Sequence, residues 1–147
     1  MLNEKDLKIL EVLKQNAKLT IKQIAKKAGM PATTIYNRIK RMEKSGVIKS
    51  YTVTLNSKKM GKNVSAYILI TVDYKLLKEI KTTQHELAKK LSMHKFVEEV
   101  DMITGTHDVI LRVAVNDMDQ LDEFVTKYLR NVDGVERTQT LVILSRF

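Results

Sequence analysis

Apolar residues recur every three or four positions over the first part of the chain, which is the period of amphipathic helices. Three such stretches cover about residues 3–15, 20–28 and 31–45. Asn3 and Thr20 are predicted N-caps, and Pro31 suits the first turn of the third helix. Gly29 can take the positive φ that a turn between two helices needs. The pattern predicts a three-helix unit that contains a helix-turn-helix.

After Gly46 the period of the apolar positions changes from helical to alternating. Residues 47–55 are rich in β-branched and aromatic side chains and predict a strand that leaves the helical unit. The polar, basic stretch 56–62 predicts a hinge. The chain is therefore expected to form two domains, residues 1–62 and 63–147.

The second domain is predicted to alternate strands and helices. The order is strand 64–74, helix 81–91, strand 96–104, strand 108–115, a helix that Asp117 caps, and strand 135–144. This βαββαβ order is the ferredoxin-like plan, in which helices cover one face of a four-stranded antiparallel sheet. The predicted fold class is α+β, with a winged-type helix-turn-helix domain before it. The uncovered sheet face is too apolar to remain wet, so an oligomer is expected.

The formal net charge of +9 is distributed unevenly along the chain. Residues 1–62 hold 15 Lys and Arg against 4 Asp and Glu, whereas residues 63–147 hold 11 against 13. A basic unit joined to a slightly acidic one is expected of a nucleic-acid-binding module attached to a domain with another task. Lysine-rich surfaces also serve solubility alone, but the asymmetry argues against that alternative.

Composition removes several classes of site. The chain has no cysteine, which excludes disulfides and thiolate metal sites and is expected of a protein in the reducing cytoplasm. No apolar run approaches the length of a membrane span, and no signal segment is predicted. His85, His94 and His107 are scattered without the spacing of metal ligands, so neither a metal site nor a cofactor is predicted.

The third helix carries hydrogen-bonding and cationic side chains opposite its apolar stripe, with no acid among them. This composition favours a DNA-recognition helix over an ordinary core hairpin. Base-edge contacts are expected from Thr33, Asn37 and Arg41, because Asn suits adenine and Arg suits guanine. Phosphate contacts are expected from Lys22, Lys26, Thr34, Tyr36 and Lys40. Arg38 lies beside the apolar stripe, where an ion pair with Asp6 or Glu43 is as consistent with the pattern as a DNA contact.

Several short motifs, in their order and spacing, resemble the Lrp/AsnC family, the feast/famine transcription regulators. They are the opening Leu2–Asp6 with Ile9 and Leu10, the recognition helix and its exit over 29–48, the loop Gly105-Thr106-His107-Asp108, and the closing strand with Val135, Thr138, Thr140 and Leu144. The loop is similar to the family's G-x-x-D effector loop. One departure is Pro31, where the family usually has a serine.

The resemblance implies a DNA-binding helix-turn-helix followed by an effector-binding and assembly domain, the RAM domain. Family members form dimers through their sheets and often octamers, and they typically bind an amino acid or a related metabolite near the G-x-x-D loop. The implied effector site comprises Thr104, Gly105, Thr106, His107 and Asp108, with Thr138 and Thr140 as weaker candidates. Asp108 would accept from the amino group of the effector, or it would serve only as a turn residue that caps a strand end.

The favoured interpretation is a non-enzymatic transcriptional regulator whose partners are double-stranded DNA, a small-molecule effector and further copies of the chain. A DNA-organising protein without an effector would have the same sequence features. Some sirohaem-decarboxylating enzymes also resemble this family in both halves. They need basic and histidine side chains in the second domain, where this chain is slightly acidic.

Overall fold

The computed structural model describes residues 1–146, so Phe147, the last residue of the predicted second domain, lies outside the described residues. The chain divides into two compact units, the first ending at Leu55 and the second beginning at Asn56. The predicted hinge 56–62 therefore falls within the second unit, where it contains a 3₁₀ turn at Lys58–Met60. Each unit has its own hydrophobic core.

The first unit contains three helices: α1 (Glu4–Gln15), α2 (Ile21–Ala28) and α3 (Ala32–Lys44). Asn3 and Thr20 form the reciprocal capping boxes of α1 and α2, which confirms both predicted N-caps. Gly29 ends α2 with a φ of 66°, as the turn requires. Pro31 stands before α3 rather than in its first turn, because its carbonyl accepts the first helical hydrogen bond while its own ψ of 143° is extended.

One face of each helix packs into the first core. The buried side chains are Ile9, Leu13, Ile24, Ala28, Ile35, Ile39 and Met42. Ile35, Ile39 and Met42 all lie on α3 at helical spacing, so this helix turns its opposite face to solvent.

The strand predicted over residues 47–55 is wrong, since no residue of this segment pairs with a strand in the described chain. Val47, Tyr51, Val53 and Leu55 are exposed. The alternation indicates a surface suited to half-burial, but a strand also needs a neighbour for its backbone N–H and C=O groups. The single chain supplies no such neighbour here.

The second unit consists of β1 (Val64–Val72), α4 (Tyr74–Glu79), α5 (Gln84–Ser92), β2 (Val97–Met102), β3 (Val109–Val115), α6 (Met118–Glu123) and β4 (Val135–Val142). The helix of α6 continues through a π-helical turn at Phe124–Tyr128 and a 3₁₀ turn at Leu129–Asn131. The strands pair in the order β2-β3-β1-β4, all antiparallel, which is the predicted ferredoxin-like arrangement.

The short helix α4 was not predicted from the sequence. The predicted strand extended to Tyr74, but Asp73 ends β1 and caps α4 by accepting a hydrogen bond from the N–H of Leu76 at 2.9 Å. The next helix begins three residues later than predicted, because Thr83 and Glu86 form a capping box that fixes its start at Gln84.

The two faces of the sheet differ in composition. The covered face is apolar and its side chains are buried: Ala66, Ile68, Ile70 and Val72 from β1, and Val109, Leu111, Val113 and Val115 from β3. On the open face Tyr67 lies opposite Arg112 on one side and Leu141 on the other. Tyr67 and Leu141 are exposed, whereas Arg112 is paired with Glu99 at 2.6 Å. The open face therefore exposes an apolar pair, Tyr67 on the inner strand β1 and Leu141 on the edge strand β4, with Arg112 of the inner strand β3 on the other side of Tyr67.

Candidate DNA-binding surface and effector loop

The residues predicted to contact DNA all lie in the first unit, on α2 and α3. Seven are exposed and Thr34 is half-buried; the exposed residues are Lys22, Lys26, Thr33, Tyr36, Asn37, Lys40 and Arg41. Six of the eight share α3, whose apolar stripe packs inward. The sequence folds α3 so that the side chains suited to bases and phosphates share the solvent side of one helix.

The carboxylate of Asp6 joins α1 to α3. Its Oδ1 accepts from Arg38 Nη1 at 2.8 Å and its Oδ2 accepts from Arg41 Nη2 at 2.7 Å. The N–H of Asn3 also donates to Oδ2, at 3.0 Å. Burial by itself would raise the pKa of Asp6, but the hydrogen bonds from Asn3 and Arg38 and the charges of both arginines outweigh it and lower that pKa. Asp6 is therefore ionised at neutral pH.

Of the two alternatives for Arg38, an internal ion pair or a DNA contact, the structure shows the ion pair. It pairs with Asp6, its side chain is only 20% exposed, and it also donates to Asn3 Oδ1 at 3.0 Å. Arg41 shares the same carboxylate, yet 57% of its side chain is exposed. The ion pair of Arg41 with Asp6 was not predicted, because helical periodicity places Arg41 on the exposed face of α3, opposite the stripe that packs against α1.

A second, exposed network lies along α3. Lys40 donates to Glu43 at 3.0 Å, and the hydroxyl of Tyr51 donates to the other oxygen of the same carboxylate at 2.9 Å. The hydrogen bond to Glu43 raises the pKa of Lys40, and the bonds from Lys40 and Tyr51 lower the pKa of Glu43. A phosphate that approached Lys40 would compete with a carboxylate already present.

The predicted effector loop follows β2 in the second unit. Thr104, Gly105 and Thr106 are exposed and His107 is half-buried. Gly105 has a φ of 133°, a conformation that side-chain-bearing residues rarely adopt. The loop is closed by two backbone hydrogen bonds of Asp108, whose N–H donates to the carbonyl of Ile70 and whose carbonyl accepts from Ile103, both at 2.9 Å.

The side chain of Asp108 is occupied by the protein itself. Oδ2 accepts from the backbone N–H of Val72 at 2.8 Å, and Oδ1 lies 3.0 Å from the hydroxyl of Tyr74. That hydroxyl is also 3.0 Å from Gln84 Oε1, and its single proton can serve only one of the two acceptors. Burial, then the Asp108 carboxylate, raises the pKa of Tyr74. These contacts fit the alternative in which Asp108 ties a turn to a strand end.

The threonines of β4 lie apart from the loop. Thr138 and Thr140 are opposite Ile70 and Ile68 of β1, on the covered face. Because β3 and β4 flank β1 on opposite sides, roughly 10 Å separates a residue of β4 from its counterpart in β3. The contact between Asp108 and Ile70 nevertheless brings the loop and Thr138 to the same end of the sheet.

Two clefts open in the second unit. One, of about 430 Å³, is lined by Tyr74, Lys75, Leu77, Lys78, Thr82, Thr83 and Gln84. The other, of about 380 Å³, is lined by Arg130, Val135, Glu136, Arg137 and Thr138. The first cleft shares Tyr74 and Gln84 with the hydrogen-bond network of Asp108, so a molecule bound there would lie beside the predicted effector loop.

Residues 1–146 contain neither a candidate metal site nor a candidate membrane-spanning helix. No group of His, Asp and Glu in this part of the chain is arranged to hold a metal ion. None of the helices described above is long and apolar enough to cross a membrane.

Family models match both units of the chain. A model described as winged helix-turn-helix DNA-binding matches residues 2–49, and one described as the Lrp/AsnC ligand binding domain matches residues 65–147. The chain belongs to the Lrp/AsnC family. It is a transcriptional regulator of that family with a DNA-binding and a ligand-binding domain, as the sequence motifs indicate.

Individual members of the Lrp/AsnC family match along almost the whole chain. The HTH-type transcriptional regulator FL11 of Pyrococcus furiosus is 33% identical over 98% of this chain and 90% of its own length. An uncharacterized HTH-type transcriptional regulator of Pyrococcus horikoshii, PH1916, is 34% identical over 97% of this chain and 92% of its own. The transcriptional regulator NMB0573 of Neisseria meningitidis, solved as an L-Met complex, has the same fold, with a TM-score of 0.85 at 23% identity over 99% and 91% of the two chains.

Proposed function

We propose that this Lrp/AsnC protein is a sequence-specific DNA-binding regulator whose affinity for DNA changes when an amino acid or a related small metabolite binds the second unit. The observation that carries the proposal is the solvent side of α3, where Thr33, Asn37 and Arg41 are exposed while the opposite side packs into the core. Hydrogen-bonding side chains on one exposed helical face suit the edges of bases in the major groove.

The contacts to DNA divide between bases and backbone. Thr33, Asn37 and Arg41 are the proposed readers of bases. Lys22, Lys26, Thr34, Tyr36 and Lys40 are the proposed contacts to phosphates, which fix the register of α3 without carrying sequence information. Lys40 would exchange Glu43 for a phosphate oxygen, so its contribution to affinity is expected to be smaller than that of Lys22 or Lys26, which form no ion pair within residues 1–146.

The proposed effector site is the end of the sheet where the loop Thr104–Asp108 and the cleft beside Tyr74 and Gln84 meet. The L-Met complex of the Neisseria meningitidis relative supports an amino acid as the class of ligand. Gly105 would let a ligand approach the backbone, and Thr106 and His107 present polar groups beside it. An amino group could bind the Asp108 carboxylate only by displacing the hydroxyl of Tyr74.

Assembly is proposed to connect the effector to DNA. The open sheet face exposes Tyr67 and Leu141, which lie opposite each other on β1 and β4, and such an apolar patch is suited to contact with a second copy. The resemblance to the Lrp/AsnC family implies that such dimers can assemble further into octamers. An effector shifts DNA binding only if its affinity differs between two arrangements of the assembly. We infer a homodimer as the DNA-binding species, acting in the cytoplasm where its DNA is.

The matched relatives are named as HTH-type transcriptional regulators, which supports a non-enzymatic role. A second candidate function is a DNA-organising protein that binds no effector. The observation that favours it is the saturation of Asp108 by Val72 and Tyr74, which leaves its carboxylate oxygens engaged before any ligand arrives.

Footprinting separates the two candidates. The intact protein is placed on its own upstream region, with and without each of the common amino acids. A regulator protects a discrete site, and one or a few amino acids change the protection. Protection that spreads without a boundary and responds to no amino acid supports the DNA-organising candidate and contradicts the effector part of the proposal.

A further inference from the structure

The buried carboxylate of Asp6 forms ion pairs with two arginines of α3. Asp6 is the buried charged residue of the first unit, with 0% of its surface exposed. Its two oxygens face different arginines, Arg38 and Arg41, which stand one helical turn apart on α3. The Asp6 carboxylate is not exposed to solvent. Together with the guanidinium groups of Arg38 and Arg41, it forms a cluster that carries one net positive charge.

Asp6 is itself fixed by the start of α1. Its N–H donates to Asn3 Oδ1 at 3.1 Å, while the N–H of Asn3 donates back to Asp6 Oδ2 at 3.0 Å. Arg38 donates to the same Asn3 Oδ1. The N-cap of α1 and the ion pairs of α3 therefore form one network, in which a buried residue of α1 contacts two arginines of α3.

The guanidinium of Arg41 is hydrogen-bonded to Asp6 through Nη2 alone. Nη2 donates one proton to Asp6, which leaves the second proton of Nη2 and the donors on Nη1 and Nε for another acceptor. The guanidinium is planar and rigid, so the hydrogen bond at Nη2, together with the attachment of Nε to the side chain, restricts the directions of the remaining N–H groups. More than half of the side chain remains exposed, at 57%.

We propose that Asp6 is a specificity-determining positioning residue: it orients Arg41 so that the remaining donors of the guanidinium read one base of the DNA site, although Asp6 does not touch DNA. A free surface arginine must lose rotamer freedom when it binds a base, and an arginine already oriented has less to lose. The inference rests on the proposed role of α3 as the DNA-reading helix. Arg38, which is largely buried, belongs to the same network as a structural ion pair.

A mutant cycle in the intact protein tests this inference. The variants are Asp6→Asn, Arg41→Gln and the double variant, with Arg38→Gln as the matched control because it removes the other arginine from the same carboxylate. Affinity is measured for the selected DNA site and for each single-base variant of it at fixed salt, and thermal stability is measured in parallel.

Asp6→Asn and Arg41→Gln are each expected to reduce discrimination at the same base position by roughly 10-fold, within the range that one bidentate base contact supplies. In the Arg41→Gln background, Asp6→Asn should cause no further loss of discrimination. Arg38→Gln should lower thermal stability while base preference persists. The inference is overturned if Asp6→Asn weakens binding to all sequences alike, or if it tightens binding, which would mean that Asp6 holds Arg41 away from DNA.

A measurement on the unmodified protein tests the inference even if Asp6→Asn fails to fold. The guanidinium N–H resonances of Arg41, assigned by their loss in Arg41→Gln, should be separate in the DNA-free protein because Asp6 hinders rotation of the group. A single averaged signal would refute positioning by Asp6. If base preference depends on Asn37 but not on Arg41, this inference fails while the proposed DNA-reading role of α3 stands; if it depends on neither, both fail.

Discussion

The carboxylate of Asp108 accepts a hydrogen bond from the backbone N–H of Val72 at 2.8 Å. This bond joins the end of the predicted effector loop to the end of β1, directly before the residue that caps α4. Asp108 therefore has a structural task whether or not it also meets a ligand.

Asp108→Ala is expected to lower the free energy of unfolding by about 1–3 kcal/mol, because it leaves the N–H of Val72 without its acceptor in a partly buried site. Tyr74→Phe is the matched control, since it removes only the hydroxyl at the other oxygen and should cost about 0.5–1.5 kcal/mol. Urea unfolding at fixed protein concentration measures both. Equal stability of Asp108→Ala and the unmodified protein would contradict a structural role for this carboxylate.

The stability that Asp6 provides should depend on pH. Its pKa is lowered in the folded protein, so its contribution is present above the unfolded-state pKa of about 3.9 and is lost as the pH falls through the folded-state value. Near neutral pH, Asp6→Asn should lower the free energy of unfolding by about 2–4 kcal/mol, because two arginines lose their shared buried partner. Urea unfolding of both proteins from neutral to strongly acidic pH should show the difference shrinking in acid. A difference that stays constant would refute the electrostatic origin.

Base readers and phosphate contacts should differ in how their loss affects sequence preference. Asn37→Ala is expected to cost about 1–3 kcal/mol at one base position and to relax selection there. Lys22→Ala and Lys26→Ala should weaken binding to all sequences and reduce the slope of log affinity against log salt by about 0.9 for each lost phosphate contact. Binding-site selection with each variant distinguishes the two classes. Unchanged base preference in Asn37→Ala would remove it from the base-reading set.

The open sheet face offers a test of assembly. Leu141→Glu puts a charge beside Tyr67 on this face and should shift the protein toward smaller species in sedimentation velocity, because burying an unpaired carboxylate is costly. Met93→Glu is the control, since Met93 is also an exposed apolar side chain but follows α5 rather than lying on the sheet. If both variants sediment like the unmodified protein, the open face is not the contact between copies.

The parts of the fold that depend on neighbours in sequence were predictable. The capping boxes of Asn3 and Thr20 join residues three apart, so the sequence alone fixes them. The buried alternation Ala66, Ile68, Ile70 and Val72 likewise marks β1. The segment 47–55 shows the limit of this reasoning, because its alternation is typical of a strand while the backbone partner that makes a strand is not in the pattern.

The exposure of the candidate DNA-binding residues was predictable from the sequence, but most of their contacts were not. The exposed side of α3 follows from helical periodicity, and the structure places its predicted members there. The ion pair of Arg41 with Asp6 and the hydrogen bond of Tyr74 with Asp108 join residues 35 and 34 positions apart. Such pairings depend on how the helices and strands pack, so no local pattern reveals them.

The most direct test of the regulator as a whole is a titration of its footprinted DNA site by fluorescence anisotropy at fixed salt, with and without the amino acid that changes the footprint. The amino acid is expected to shift the midpoint for the unmodified protein, and Asn37→Ala is expected to lose preference for the site while keeping a response to the amino acid. A midpoint that no amino acid moves, together with equal affinity for the site and for unrelated DNA, would contradict the proposed function.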